Sequence, residues 1–208
     1  MGEILLKEVI SGGQIGVDQA GLLAAKENYY LTGGWAPKNY RTRNGNRPDI
    51  LRDIFFLKER ETHSYKMRTF ANVQDSDGTL LFCNDFGSTG IKCTKEAIAF
   101  YNKPSFDVFH DIEPNEQLFE RIIDWIIEHK IKVLNIAGNS QPPSDIFVRA
   151  YKFLNGLFIY IRQQQGGDPI ERDSYERIAK NARLLDGRYR RRQKVRRKGE
   201  QSRRYASH

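Results

Sequence analysis

Hydrophobic and polar positions along this chain switch between two periods. Residues 4–10, ILLKEVI, form an apolar run of strand length, and SGGQIGVDQAGLLAAKEN after it places Val17, Ala20, Gly21 and Ala24 at helical spacing. Strand, glycine turn and helix make the first unit, and the small residues on that helix face let it lie close against a sheet. The segment LTGGW predicts a brief strand and a turn. Residues 37–63 are basic and rich in turn formers (PKNYRTRNGNRPD), which predicts a long functional loop; the short apolar piece DIFFL inside it matches no element clearly.

Residues 64–75 predict a helix capped by Ser64, followed by Asp77-Gly78 and the buried-type strand TLLFC. A second glycine turn, FGSTG, leads into a helix reaching about Tyr101, and KPSFDVF reads as a strand entered through Pro104. Residues 114–129 predict a helix with Pro114 at its first position and Leu118, Ile122, Trp125 and Ile126 on one stripe. The strand KVLNIAG ends in the loop NSQPPSD, and Ser144 is the expected cap of a helix that aligns Phe147, Tyr151, Leu154, Phe158 and Ile161. Strands alternating with helices predict an α/β, Rossmann-like fold with a mainly parallel sheet and helices on both faces, because parallel neighbours need crossover connections.

Charge divides the chain in two. Residues 1–165 carry 20 Lys and Arg against 20 Asp and Glu, whereas residues 166–208 carry 14 against 6, so the whole net charge of +8 lies in the second part. The stretch GlnGlnGln-Gly-Gly at 163–167 marks the expected boundary between a ligand-binding domain and a basic C-terminal extension, partly helical through SYERIAKNARLL or disordered when free. With 39% hydrophobic residues over 208 positions, the chain is long enough for one sizeable core and too short for two comfortable domains. No apolar run approaches the roughly 20 residues of a membrane span, and the opening Met1-Gly2-Glu3 does not read as a signal peptide. Cys83 and Cys93 fit neither a disulfide framework nor a zinc spacing, so they read as small buried hydrophobes in a cytoplasmic, reducing compartment.

Three loops follow predicted strands and precede helices: Ser11-Gly12-Gly13-Gln14, Gly87-Ser88-Thr89-Gly90 and Gly138-Asn139-Ser140. In a parallel sheet they converge on one edge, where glycines admit a ligand close to the backbone and free helix-start amides favour an anion. Asp18 in the first helical turns either balances the helix dipole or accepts a hydrogen bond from a ligand hydroxyl. Trp35 either stacks on a planar ligand ring or belongs to the core. Lys38, Arg41, Arg43 and Arg47 form a basic group on the long loop that would close over an anionic ligand. No catalytic constellation is present: the four histidines lack metal-ligand spacing, neither cysteine has an adjacent base, and no directly ligated metal is expected.

The succession SGGQIGVDQAGLLAA, GGWAPK, RTFANVQDSDGTLLF, a glycine turn with Thr94 in the next helix, KP and LNIAG resembles the family named putative molybdenum carriers, in order from residue 9 to about 154. That family belongs to a Rossmann-like group that also holds the lysine-decarboxylase-like phosphoribohydrolases and the DNA-processing protein DprA. The resemblance implies a ligand site on Ser11, Gly12, Gly13, Gln14, Gly16, Asp18, Gly34, Trp35, Lys38, Arg68, Asp77, Gly78, Gly90 and Thr94. Ile15, Gln19, Ala36 and Asn39 stand where the family pattern has Thr, Arg, Cys and Gly, and two of these replacements are expected to remove polar ligand contacts.

The functional expectation is a binder or carrier of a phosphate-bearing small ligand, molybdenum cofactor or a nucleotide, rather than an enzyme. The alternatives are a nucleotide hydrolase of phosphoribohydrolase type, with Asp18 or Glu96 as the acid or base, and a scaffold whose present role is nucleic-acid binding by the extension. Within residues 188–208 ten cations face the single acid Glu200: Arg188, Arg190, Arg191, Arg192, Lys194, Arg196, Arg197, Lys198, Arg203 and Arg204. Such a run favours a phosphate backbone without sequence preference over a membrane surface, since apolar anchors are missing. A homo-oligomer is compatible with this pattern.

Overall fold

The structure is a computed structural model that describes residues 3, 4, 6–82, 86–109, 113–140 and 145–165. The chain divides into two compact units, Met1–Asp168 and Pro169–His208, and every described residue belongs to the first. Cys83, the expected cap Ser144 and the basic residues from Arg188 onward lie outside the described residues.

In chain order the elements are β1 (Glu8–Ile10), α1 (Val17–Glu27), β2 (Leu31–Gly33), β3 (Trp35–Ala36), β4 (Arg41–Thr42), β5 (Gly45–Asn46), α2 (Pro48–Leu51), β6 (Lys58–Glu59), α3 (Tyr65–Asp75), β7 (Gly78–Phe82), α4 (Thr89–Tyr101), β8 (Ser105–Val108), α5 (Glu116–Glu128), β9 (Val133–Gly138) and α6 (Ile146–Gln164). Five strands form one sheet in the order β2-β1-β9-β7-β8, and every neighbouring pair is parallel. A doubly wound sheet of order 3-2-1-4-5 has the first strand of its chain at the centre. Here the same spatial order holds, but the central strand β9 is the last, so the chain is wound as if its first strand and helix had been moved to the end.

The two faces of the sheet follow from side-chain alternation. Phe82 of β7 packs on Phe153 of α6, with ring centroids 5.4 Å apart, and Ile136 of β9 lies against Gly21 of α1, where an added Cβ would come within 2.6 Å of it. Their neighbours Leu81 and Ala137 point the other way, toward Ile91 of α4. Helices α1, α5 and α6 therefore cover one face and α3 and α4 the other. The four small or branched residues expected to seat α1, Val17, Ala20, Gly21 and Ala24, are all buried.

Two local expectations change and one holds. The α5 cap is Asn115, whose side chain accepts from the Leu118 amide at 2.9 Å, so Pro114 precedes the cap instead of opening the helix. Ser64 caps α3 as expected, accepting from the Met67 amide at 3.3 Å. The 37–63 segment is not one loop: it holds a 3-10 turn, the β4–β5 hairpin, α2 and β6, and its unplaced apolar piece buries Phe55 and Leu57 beside Leu51. Burial of those three side chains anchors the segment to the domain.

Candidate functional site

A cleft of about 590 Å³ opens at the carboxyl ends of the strands, on the face covered by α3 and α4. Gly12 and Gln14 after β1, Thr89 and Gly90 after β7, and Gly138 and Ser140 at the end of β9 all line it, so the three glycine-bearing turns meet at one edge. Its floor is β9 from Asn135 to Gly138, and its walls are the first turns of α3 and α4. Both helices point their amino ends, with their free amides and positive dipole ends, toward this edge.

The α3 wall presents Tyr65, Arg68, Thr69 and Asn72, spaced 3, 1 and 3 residues apart on one helix face. Arg68 is the centre of the site. Its side chain is only 12% exposed, Nη1 donates to Asp18 Oδ2 at 3.3 Å, and Nε is buried without a hydrogen-bond partner. Its guanidinium lies where a Cβ on Gly12 would have to be, so Gly12 serves the arginine by vacancy. Asp18 also accepts from the Gln14 amide at 3.1 Å. Burial pushes the Asp18 carboxyl above the usual carboxylate range, opposed by the charge of Arg68 and by the Gln14 amide. Asp18 thus binds the first loop to Arg68 rather than facing a ligand alone.

Gln14 fixes the other side. Its Oε1 accepts from the Arg43 amide at 2.9 Å and from the Ile15 amide at 3.1 Å, which ties the β4–β5 hairpin to the first glycine loop. Of the four loop cations, Arg43 lines the cleft, Arg47 pairs with Asp49 at 3.0 Å, and Lys38 and Arg41 are exposed elsewhere. On α4, Thr94 is buried and its hydroxyl donates to the Gly90 carbonyl at 3.0 Å, while a Cβ on Gly90 would meet no atom within 4 Å. Lys66 and Glu96 pair at 2.6 Å across the mouth, which raises the Lys66 pKa. Cys93 lies between them on the wall, its thiol pushed up by burial first and by Glu96 second.

Several residues expected at the site do other work. Asp77 and Gly78 begin β7 and lie at the opposite edge: the Asp77 carboxylate accepts from the Lys132 and Val133 amides at 2.9 and 2.8 Å, and a Cβ on Gly78 would reach Ile131 at 2.6 Å. Ser11 donates to the Ile136 carbonyl at 2.6 Å and stitches β1 to β9. Trp35 donates from Nε1 to Asp75 at 2.7 Å, with Lys58 and Arg60 over its ring, outside the cleft. Gly34, at φ 115°, turns back against Ser11 and Asn72, and Gly13, at φ 69°, faces Leu51 and Leu57. Gly16, at φ 100°, allows the first loop to meet Asn139. Asn139 donates to Ser88 Oγ at 3.3 Å, and Ser88 caps α4, so both position the two turns they belong to.

None of Ile15, Gln19, Ala36 and Asn39 lines the cleft. Gln19 donates to the Gly13 carbonyl at 3.0 Å, Ala36 is buried in β3, and Asn39 keeps the left-handed backbone a glycine would take. Sequence reasoning passed over Tyr65, Lys66, Thr69, Asn72, Lys92, Cys93 and Asn135. The signal for part of that set was available: Tyr65, Arg68, Thr69 and Asn72 make a polar stripe at helical spacing on α3. Among the described residues no cluster of His, Cys, Asp or Glu could hold a metal ion, and no helix is long and apolar enough to cross a membrane.

Residues 9–158 match the model of the circularly permutated YpsA SLOG family. The chain is also similar to a solved structure from Syntrophus aciditrophicus SB, named "Putative molybdenum carrier protein", at 32% identity and a TM-score of 0.67, covering 74% of this chain and 95% of that one. No curated protein shows a significant match.

Proposed function

Since the chain belongs to the circularly permutated YpsA SLOG family, we propose that its cleft binds the phosphate or oxyanion end of a small ligand, molybdenum cofactor or a nucleotide, as a binder or carrier. One observation carries this reading: the buried Nε of Arg68 has no partner. Burying an unmatched charged donor is costly, and an anion in the cleft is the chemistry that satisfies it. Arg43, Lys66 and Lys92 add cations at the same lining, and the first amides of α4 add donors beside the open face of Gly90. The name of the solved relative supports the molybdenum candidate. The donors here are guanidinium, ammonium and amide groups, which suit a phosphate rather than direct ligation of a metal. Lys66 and Glu96 already neutralise one another, so acid–base catalysis by Glu96 is not favoured.

Native mass spectrometry of the purified chain, with calorimetric titration of inorganic phosphate, molybdate and AMP, tests the proposal. The expected result is a bound phosphate-bearing mass or saturable heat. Arg68→Lys keeps the charge but loses the planar fork and is expected to weaken binding by about 1.5–3 kcal/mol, roughly 10- to 100-fold. No bound mass and no heat with any of the three contradicts the reading. A second reading concerns the extension: its excess of +8 favours contact with a nucleic-acid backbone, with affinity falling steeply as salt rises. A salt-independent interaction, or none, contradicts it.

A further inference from the structure

Two exposed aromatic rings occupy backbone positions that favour glycine. Tyr29 follows α1 at φ 63° and is 79% exposed, and Phe56 follows α2 and its trailing turn at φ 60° and is 61% exposed. Each marks a chain reversal: the next amide, Tyr30, returns to the Ala25 carbonyl at 3.0 Å, and Leu57 returns to that of Leu51 at 2.8 Å. Such left-handed helix ends are ordinarily glycine, because a Cβ is crowded there. Neither ring is buried in compensation, so folding alone does not account for them.

Each ring carries a cation. Lys26 Nζ lies 4.7 Å from the Phe56 centroid, and the Arg162 guanidinium carbon lies 4.8 Å from that of Tyr29. Lys26 lies in the last turn of α1 and its carbonyl accepts from the Tyr29 amide at 3.1 Å, so the pairs Phe56–Lys26 and Tyr29–Arg162 adjoin as a row of rings and charges. Among the described residues neither cation is in an ion pair with a carboxylate, and Arg162 Nη1 is buried without a hydrogen-bond partner.

We propose that this row binds single-stranded nucleic acid, with unpaired bases stacking on Tyr29 and Phe56 and phosphates meeting Lys26 and Arg162. Charge complementarity selects that occupant: two uncompensated cations alternate with two planar rings, the repeat that a strand of bases and phosphates presents. An added peptide strand is disfavoured because the neighbouring edge strand β2 has only three residues. The row is independent of the anion cleft, since none of its four residues lines it, and it requires nothing of residues 188–208.

The test uses the full chain and labelled oligouridine of about 16 nucleotides, the upper end of single-module site sizes, beside a duplex of equal length. In the double variant Tyr29→Gly, Phe56→Gly, glycine suits both left-handed positions, so the melting temperature is expected to stay level or rise. Single-strand affinity is expected to fall by about tenfold or more, and duplex affinity by less than about twofold. Photo-crosslinks from 4-thiouridine are expected in the peptides holding Tyr29 and Phe56. Unchanged single-strand affinity, an equal fall for both substrates, no single-strand binding by the parent chain, or crosslinks confined to other peptides overturns the proposal. A co-purifying peptide lost from the variant while RNA affinity is retained assigns the row to a protein partner and also overturns it.

Discussion

The two faces of one sheet are built on opposite terms. On the side of α1, α5 and α6, Leu80, Phe82, Leu134 and Ile136 meet a dry wall in which Phe153 touches both Phe82 and Phe119, at 5.4 and 5.3 Å between centroids. On the other side the same strands present Thr79, Asn135 and Ala137, and Asn135 donates to Thr79 at 3.1 Å beneath a cleft walled by polar side chains of α3 and α4. One residue of register separates stabilising packing from ligand chemistry. The contrast teaches that a buried polar residue on β9 is informative only once its face is known.

The largest effect expected from this contrast is on stability. Phe153→Ala should cost about 3–5 kcal/mol in urea unfolding, because the emptied space is bounded by rings on a closed face. A cost under about 1 kcal/mol would mean that the face is not tightly packed. The smaller effect is a pH dependence on the cleft side. Burial raises the Asp18 pKa, so the native chain holds that proton at higher pH than the unfolded chain does. Its contribution to stability is therefore fully present below the ordinary value of 3.8 and is lost as pH rises through the raised native value. The stability of the parent relative to Asp18→Asn should accordingly increase as pH is lowered from neutral toward 3.8. A difference that is flat, or that grows with rising pH, would contradict the burial of an ionisable Asp18.

Much of the fold was legible because strand-length apolar runs and glycine turns recur in a fixed order. The position of β9 was not, since hydrophobic periodicity gives the type of an element and not its neighbours. The meeting of the three glycine turns followed from parallel topology alone. Asp77 and Gly78, which family likeness carried over as site residues, stand apart from the cleft because they lie at the amino end of β7. Ser11, Gly13 and Gly34 were read for a ligand when their constraints come from β9, Leu51 and Leu57, and the Ser11 backbone. Those partners are distant in sequence, so no local pattern announces them. Lys66 and Lys92 were hidden for the converse reason: on an isolated helix their polarity looks like an ordinary solvated face.

Gly90 tests the central claim most directly, because there the demands of the fold and of the ligand diverge. It lies in the first turn of α4, lines the cleft, and would present an added side chain to open space. Gly90→Leu replaces a weak helix former with a strong one, so urea unfolding should find stability unchanged or raised by up to about 1 kcal/mol. The same side chain fills the cleft beside the α4 amides, so calorimetric titration with the phosphate-bearing compound that the parent binds should give no saturable heat. A folded Gly90→Leu chain that binds that compound with parental affinity would contradict the assignment of the cleft as the ligand site.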